Sequence, residues 1–477
     1  MLHRALSSRR SFLQLGVCGL SSLAAVGPSS SLLAASPGTN PKAKAKRVLV
    51  LFEQGGVSHI DTWDPKPEAA AEHKSPHQPI STNVPGIFVT ELLKQTSRHM
   101  DKLAIVRSMI QPTPGIGNSH PAGSQYVFSG EAPGQPEQMP DISSVVAQLL
   151  GSDAKYLPSN IMVPGGSEQA ATSSIGFLPP AHKVFRTGGN PCDPAWTVPN
   201  LGLIGNIDAD RFRNRADLLS NLDLGIPGSA RVKDVQALGA LRSQAEDMLT
   251  NPATRKAFDL KAEPEKLREA YGTGHRGQCY LLARKLIESG VRYVTVDCRE
   301  PSNSWLAGKQ VSYPGGGNMN WDHHDAIYSA DHTNKPGVSG AGGGRYGIAT
   351  WPMMGSTDQA LAALLEDMDQ RGLLADTLVC FVTEFGRTPK INKSQGRDHW
   401  VHAFSYAFAG AGVRGGQVIG ESDKDGGYIA SSNAHTLDDY AATIYEKLGI
   451  ERHNAVYTPA NRPITLARKG EPIPELL

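Results

Sequence analysis

Carboxylates and imidazoles follow three apolar runs of this sequence. After V-L-V-L-F come Glu53, Gln54, His59 and Asp61. After V-R-Y-V-T-V comes Asp297, then Asp322, His323, His324 and Asp325. After T-L-V-C-F-V-T come Glu384, Asp398, His399 and His402. These are the hard and borderline ligands that suit Zn, Mn, Mg or Ca. Several carboxylates in one place are costly unless a cation or an arginine neutralises them, and Arg387 and Arg397 lie in the same stretch. A bound divalent cation also lowers the pKa of water, which gives a nucleophile near neutral pH. The candidate metal ligands are therefore Asp322, His324, Glu384, Asp398, His399 and His402, helped by His59 and Asp61. Each piece has a structural reading too. Asp398-His399 can cap a helix, and Glu384 can be held by Arg387 or Arg397 as a salt bridge.

The elements that would position these residues alternate in type. Arg47–Phe52, Leu103–Ser108 and Asn160–Val163 are short apolar, partly β-branched runs and read as buried strands. Val291–Val296 and Thr377–Thr383 read the same way. Helical spacing marks Asp141–Leu150, Arg211–Leu222, Val232–Thr250, Gly277–Ser289, Ser356–Gly372 and Thr436–Leu448, the last with a Thr436-x-x-Asp439 capping box. Helix, glycine, strand, polar loop occurs twice, which is the rhythm of a largely parallel sheet. In such sheets sites form outside the carboxyl ends of the strands, where the carboxylates and imidazoles stand.

Composition narrows the function classes. Lys+Arg is 47 and Asp+Glu is 46 over 477 residues, so no bulk positive charge supports nucleic-acid binding. The 50 glycines and 33 prolines exceed the average share and predict many ordered loops. Gly342-Gly343-Gly344 lacks the strand and Lys-Ser/Thr of a P-loop, and Gly-x-Ser-x-Gly does not occur. Cys192, Cys279, Cys298 and Cys380 form no C-x-x-C pair, which argues against a zinc ribbon. Ser8-Arg9-Arg10-Ser11-Phe12-Leu13, followed by a modestly apolar run, resembles a twin-arginine export signal. Removing residues 1–35 takes away three arginines and no acid, so the mature chain is slightly acidic.

The strings QGGVSHIDTWDPKP (54–67), GQCYLLARKLIESGVRYVTV (277–296), WDHH (321–324), DTLVCFVTEFGRTPKIN (376–392), GRDHW (396–400) and DGGYIA…TLDDYAATIYEKLGI (425–450) closely resemble the DUF1501 family. That resemblance implies an exported protein of the alkaline phosphatase-like superfamily, which includes sulfatases. It implies an α/β fold: an α/β/α sandwich with a mostly parallel central sheet and long loop insertions, and a one- or two-metal site. By the resemblance Glu384 takes a metal-ligand position and Phe385 a position where the superfamily has His. Asp322 and His324 resemble a second ligand pair at shorter spacing, with His402 or His399 as a late ligand. His120 falls where the Cys, Ser or Thr nucleophile of a sulfatase stands, with Ser119 before it. The attacking group is then His120, Ser119 or water. Arg387 and Arg397 would hold the anionic group of the substrate.

These readings give residues 1–35 as a signal peptide, 36–45 as a linker and 46–477 as one domain, with loop-rich insertions at about 167–230 and 311–355. The expected function is an exported, metal-dependent hydrolase of phosphate or sulfate esters, periplasmic or secreted. Its substrate would be a small anionic ester or a sulfated or phosphorylated polymer. Its partners would be the twin-arginine translocase during export, with neither nucleic acid nor a membrane after processing. The alternative is a non-catalytic binding or cell-surface protein that keeps the same scaffold.

Overall fold

Five of the apolar runs become strands because each buries both of its faces, so neither alternates with polar residues. We label the strands of the main sheet β1 (Arg47–Phe52), β2 (Leu103–Met109), β3 (Asn160–Pro164), β4 (Phe185–Arg186), β5 (Tyr293–Asp297), β6 (Thr377–Val382), β7 (Phe404–Ala409) and β8 (Gln417–Ile419). They form one sheet in the order β8-β2-β7-β6-β1-β5-β3-β4. All pairings are parallel except those of β7, which runs antiparallel to both β6 and β2. The structure is a computed structural model. It describes residues 43–112, 119–134, 137–167, 170–199, 201–203, 207–224, 233–297, 299, 301, 303–312, 320–322, 324, 325, 327, 328, 347–453 and 456–477. The described residues belong to one unit, Thr39–Leu477.

The period-two geometry of the strands sorts their side chains into two cores. Leu49, Leu51, Val294, Val296, Val379 and Phe381 point to one face, where they meet Leu282, Leu286, Leu361 and Leu365. Val48, Val50, Phe52, Cys380 and Val382 point to the other, against Tyr126, Val127, Val145, Tyr440 and Ile444. The first face is covered by the helices His275–Glu288 and Ser356–Gln370; the second by α1 (His120–Ser129), Ile142–Leu150 and Leu437–Lys447. The result is the expected α/β/α sandwich with a mostly parallel sheet. On the first face the buried Arg284 guanidinium ties the two helices together through Glu263 (2.8 Å), Glu288 (2.6 Å) and Asp367 (2.8 Å). Such a buried charge is tolerable only with its partners in place.

The capping box forms as read: Thr436 Oγ1 accepts from the Asp439 amide at 3.2 Å, and Asp439 Oδ2 accepts from the Thr436 amide at 2.7 Å. Residues 167–230 hold β4 and the helix Ala209–Leu224 among their described parts. Much of 311–355, and the signal and most of the linker, lie outside the described residues. Cys192, Cys279 and Cys380 carry no disulfide; Cys298 is not among the described residues. No described helix is long and apolar enough to cross a membrane.

Register fixes where the loops leave the sheet. Phe52 stands opposite Val382 on one side and Asp297 on the other, so β1, β5 and β6 end at one edge. Met109 ends β2 at the same edge, opposite Phe404. Because β7 is antiparallel, it begins where the others finish. The segment before it, including His399, is delivered to that edge.

Candidate metal centre

Four side chains converge at this edge. His120 is the first residue of α1, whose N-cap Ser119 accepts from the Ala122 amide at 3.5 Å. Asp322 lies in a segment pinned to the end of β1 by the Trp321 amide, which donates to Gln54 O at 3.0 Å. His399 sits in a two-residue ribbon with Gly386 and Arg387. His324 follows Asp322. The Nε2 atoms of His120, His324 and His399 lie 3.1, 2.9 and 3.1 Å from the same oxygen, Asp322 Oδ1. His120, Asp322 and His399 each offer a donor atom within 4.8 Å of the others, the candidate metal group among the described residues.

Two details fit a cation better than a hydrogen-bonded cluster. His324 Nε2 and His399 Nε2 are 2.8 Å apart, and only one of them can carry a proton between them. His120 Nε2 is buried and makes no well-aligned hydrogen bond. Four donors held tetrahedrally at ~2.0–2.1 Å from a zinc ion lie about 3.3 Å apart, close to the spacings seen. Three imidazoles and a carboxylate suit Zn or Mn better than Mg or Ca, which prefer all-oxygen sites.

The electrostatics follow from burial and crowding. Burial acts to raise the Asp322 carboxyl, but the three imidazoles of His120, His324 and His399 around it and the charge of Arg387 outweigh it, leaving it well below the usual carboxylate range. Burial likewise acts to lower His120, yet the Asp322 and Glu384 carboxylates beside it push it up to about 9. His399 is lowered by burial, and His324 is raised by its hydrogen bond to Asp322. Without a metal, a proton on His120 balances part of the negative charge; a divalent cation competes for the same place.

A second ring of residues holds the first. Glu384, fully buried, places Oε1 2.6 Å from His120 Nδ1 and 2.8 Å from the Gly55 amide. Asp398 lies 3.0 Å from His324 Nδ1. Arg387 reaches Asp322 Oδ1 at 2.7 Å and also donates to the carbonyls of Gly55, Gly56 and Arg397. Phe385 packs its ring on His120 and His399, at centroid distances of 4.9 and 4.5 Å. Gly55 has φ of +109°, and a Cβ there would stand 2.5 Å from the Asp322 amide nitrogen. Only glycine lets the two segments approach so closely.

The other residues singled out in the sequence lie elsewhere. Asp61 pairs with Arg397 at 2.9 Å, and Tyr328 donates to it at 3.2 Å. Arg397 also donates to the carbonyls of Thr388 and His73. Both arginines are fully buried and committed to protein acceptors. His59 donates from Nε2 to Gly426 O at 2.8 Å. His402 meets the Trp400 ring edge-on and lies tilted against Tyr428, at centroid distances of 4.8 and 5.3 Å. Glu53 is engaged by Tyr280 and Trp321, both at 2.6 Å, and Gln54 donates to Asp297 at 2.8 Å. One contributor not singled out is Asn392, which donates to His324 O at 2.8 Å and to Asp398 at 3.3 Å. Its only signal was its place at the end of the T-P-K-I-N motif.

An α/β/α sandwich with a histidine–carboxylate cluster at the carboxyl edge of its sheet defines the class. The chain belongs to the DUF1501 family, described as "Protein of unknown function (DUF1501)", whose model matches residues 45–477. A search of curated proteins finds no match. Among solved structures, a sulfatase from Pseudoalteromonas sp. is 12% identical, with 85% of this chain and 68% of that chain covered and a TM-score of 0.34. A phosphonate monoester hydrolase from Silicibacter pomeroyi is 11% identical, with coverage of 86% and 74% and a TM-score of 0.34. A chain described under glycosaminoglycan metabolism by Bacteroides thetaiotaomicron is 10% identical, with coverage of 85% and 73% and a TM-score of 0.37.

Proposed function

We propose that this protein is an exported hydrolase of phosphate or sulfate esters that depends on a divalent cation held by His120, Asp322 and His399, with His324 beside them. The observation that carries the reading is the convergence of three imidazole nitrogens on Asp322 Oδ1 within 3.1 Å. When bound, a divalent cation supplies Lewis acidity toward an ester oxygen and makes water a better nucleophile. The ester class comes from the motif resemblance described under the sequence.

The chain's own residues have separable parts in this reading. Asp322 supplies the negative charge at the centre, and Arg387 holds that carboxylate in place. Phe385 closes one wall with an apolar ring and limits the entry of water from that side. His120 is clamped between Asp322 and Glu384, and Ser119 caps α1, so the attacking group we favour is water. Arg387 and Arg397 are fully buried and spend most of their donors on protein acceptors. The substrate is then recognised through the cation and through groups near the N-terminus of α1.

One observation favours a second reading, a non-catalytic binding protein: a histidine stands where the family resemblance calls for a hydroxyl or thiol nucleophile. Purified exported protein separates the two. Stoichiometric zinc or manganese together with turnover on a panel of phosphate and sulfate esters supports the hydrolase. Bound metal with no turnover across the panel supports the binding protein. Protein that takes up no metal sinks the metal-dependent reading.

A further inference from the structure

We infer that Glu384 is a positioning residue: it holds His120 with its proton on Nδ1 and so presents a bare Nε2 to the cation. This rests on the cation proposed at His120, Asp322 and His399. An imidazole can donate a lone pair from one nitrogen only while the other carries the proton, and a carboxylate behind a ligand histidine fixes both tautomer and ring angle.

Both oxygens of Glu384 are engaged within the protein. Oε1 accepts from the Gly55 amide at 2.8 Å and faces His120 Nδ1 at 2.6 Å. Oε2 accepts from Thr383 Oγ1 at 3.1 Å. The Gly55 amide cannot lose its proton, so it aims the carboxylate before the histidine arrives. The first turn of α1 comes close enough because residue 123 is glycine; a Cβ there would lie 3.0 Å from Glu384 Cβ. The sequence resemblance gives Glu384 as a direct ligand. The structure instead puts His120 between it and the cluster.

Asp398 stands in the same relation to His324 Nδ1, at 3.0 Å, and serves as an internal control. Its side chain is 57% exposed whereas that of Glu384 is 0% exposed. Water can replace an exposed partner but not a buried one. The two carboxylates therefore differ sharply in their effect on the metal.

The test is titration of the full folded chain with Zn2+, read by calorimetry, for wild type, Glu384→Gln, Glu384→Asp, Glu384→Ala and Asp398→Asn. Glu384→Ala should weaken binding by about 10–100-fold. Glu384→Asp should do the same, because losing one methylene withdraws the carboxylate by about 1.5 Å. Glu384→Gln keeps an oxygen that accepts from Nδ1 and should lose less than Glu384→Ala, and Asp398→Asn should lose least. Histidine-selective 1H–15N spectra provide a readout that simple destabilisation does not move. In the metal-free chain, at a pH high enough for the His120 ring to carry a single proton, that proton should sit on Nδ1 in wild type and Glu384→Gln, and become mixed between the two nitrogens in Glu384→Ala. If wild type binds zinc and the alanine and aspartate variants bind it within twofold of wild type, the inference is overturned. If those two variants do not fold, a His120 proton on Nε2 in wild type or Glu384→Gln overturns it. If wild type binds no zinc, the underlying metal reading fails instead.

Discussion

Arg387 Nη2 lies 2.7 Å from Asp322 Oδ1, the oxygen on which the three imidazoles also converge. A fixed positive charge thus shares one carboxylate oxygen with the candidate cation position. The arginine is fully buried and also donates to three backbone carbonyls. It neutralises Asp322 enough to let a carboxylate stand there without metal, and it joins the Gly55 turn to the segment that carries Arg397.

Arg387→Met should destabilise the protein by ~3–5 kcal/mol, because it leaves a buried carboxylate and three carbonyls without their partner. Urea unfolding monitored by tryptophan fluorescence measures this. A loss below about 1 kcal/mol would mean that solvent reaches the pair.

Zinc should stabilise wild type and leave Asp322→Asn unmoved. At a hundredfold excess over the dissociation constant the gain is ~2.7 kcal/mol, visible as a rise of several degrees in thermal midpoint. Equal shifts in both proteins would place the binding elsewhere.

Gly55→Ala should weaken zinc binding by more than about tenfold while leaving the far-ultraviolet spectrum unchanged. The added methyl meets the Asp322 and Trp321 amides at 2.5 and 2.6 Å, and the positive φ adds strain. Unchanged affinity would show that the turn and the Asp322 segment part freely.

Asp141 gives a pH signature far from the centre. Burial raises its carboxyl from 3.8 to about 7, against the hydrogen bonds from Ser173 and Ser174. The folded chain therefore holds this proton across a range where the unfolded chain has lost it. The contribution is full below about pH 4, falls as pH rises toward 7 and is constant above that. Asp141→Asn should remove this slope and be more stable than wild type at pH 8. Parallel stability–pH curves for the two proteins would contradict it.

Export is tested by replacing Arg9 and Arg10 with lysine. The precursor should then stay in the cytoplasm while wild type reaches the periplasm, as fractionation and immunoblotting would show. Unchanged export of the double variant would point to the general secretory route.

Much of the scaffold was legible because its strands are buried on both faces and its long helices carry a clear apolar stripe. Asp141–Leu150 and Ser356–Gly372 differ from the observed helices by one or two residues at their ends. α1 went unread as a helix: H-P-A-G-S-Q-Y-V-F-S has no distinct polar face, since six of its ten residues are buried. Its Ser119 cap and Pro121 in the first turn were the available signals. β7, F-S-Y-A-F-A, was missed because its serine and alanines look like one polar face, yet all six residues are buried.

At the centre, the sequence supplied the residue types but not their ranks. Nothing in the spacing of Glu384, Asp398, His399 and His402 says which side chains touch Asp322. His399 and His402 are three residues apart, yet one faces Asp322 and the other meets the Trp400 ring edge-on. Asp61 was drawn away by Arg397, a partner from a distant part of the chain. Such choices are made by tertiary packing.

The antiparallel β7 also sets an order of assembly. It joins β2, made early in synthesis, to β6, made late, so the sheet cannot close across that seam until residue 409 has left the ribosome. His120 follows β2 and His399 precedes β7, so the two histidines flank the last seam of the sheet to form. A chain cut before β7 would keep every strand of the β6-to-β4 half and both histidines, but would leave β2 with no strand to join it to β6.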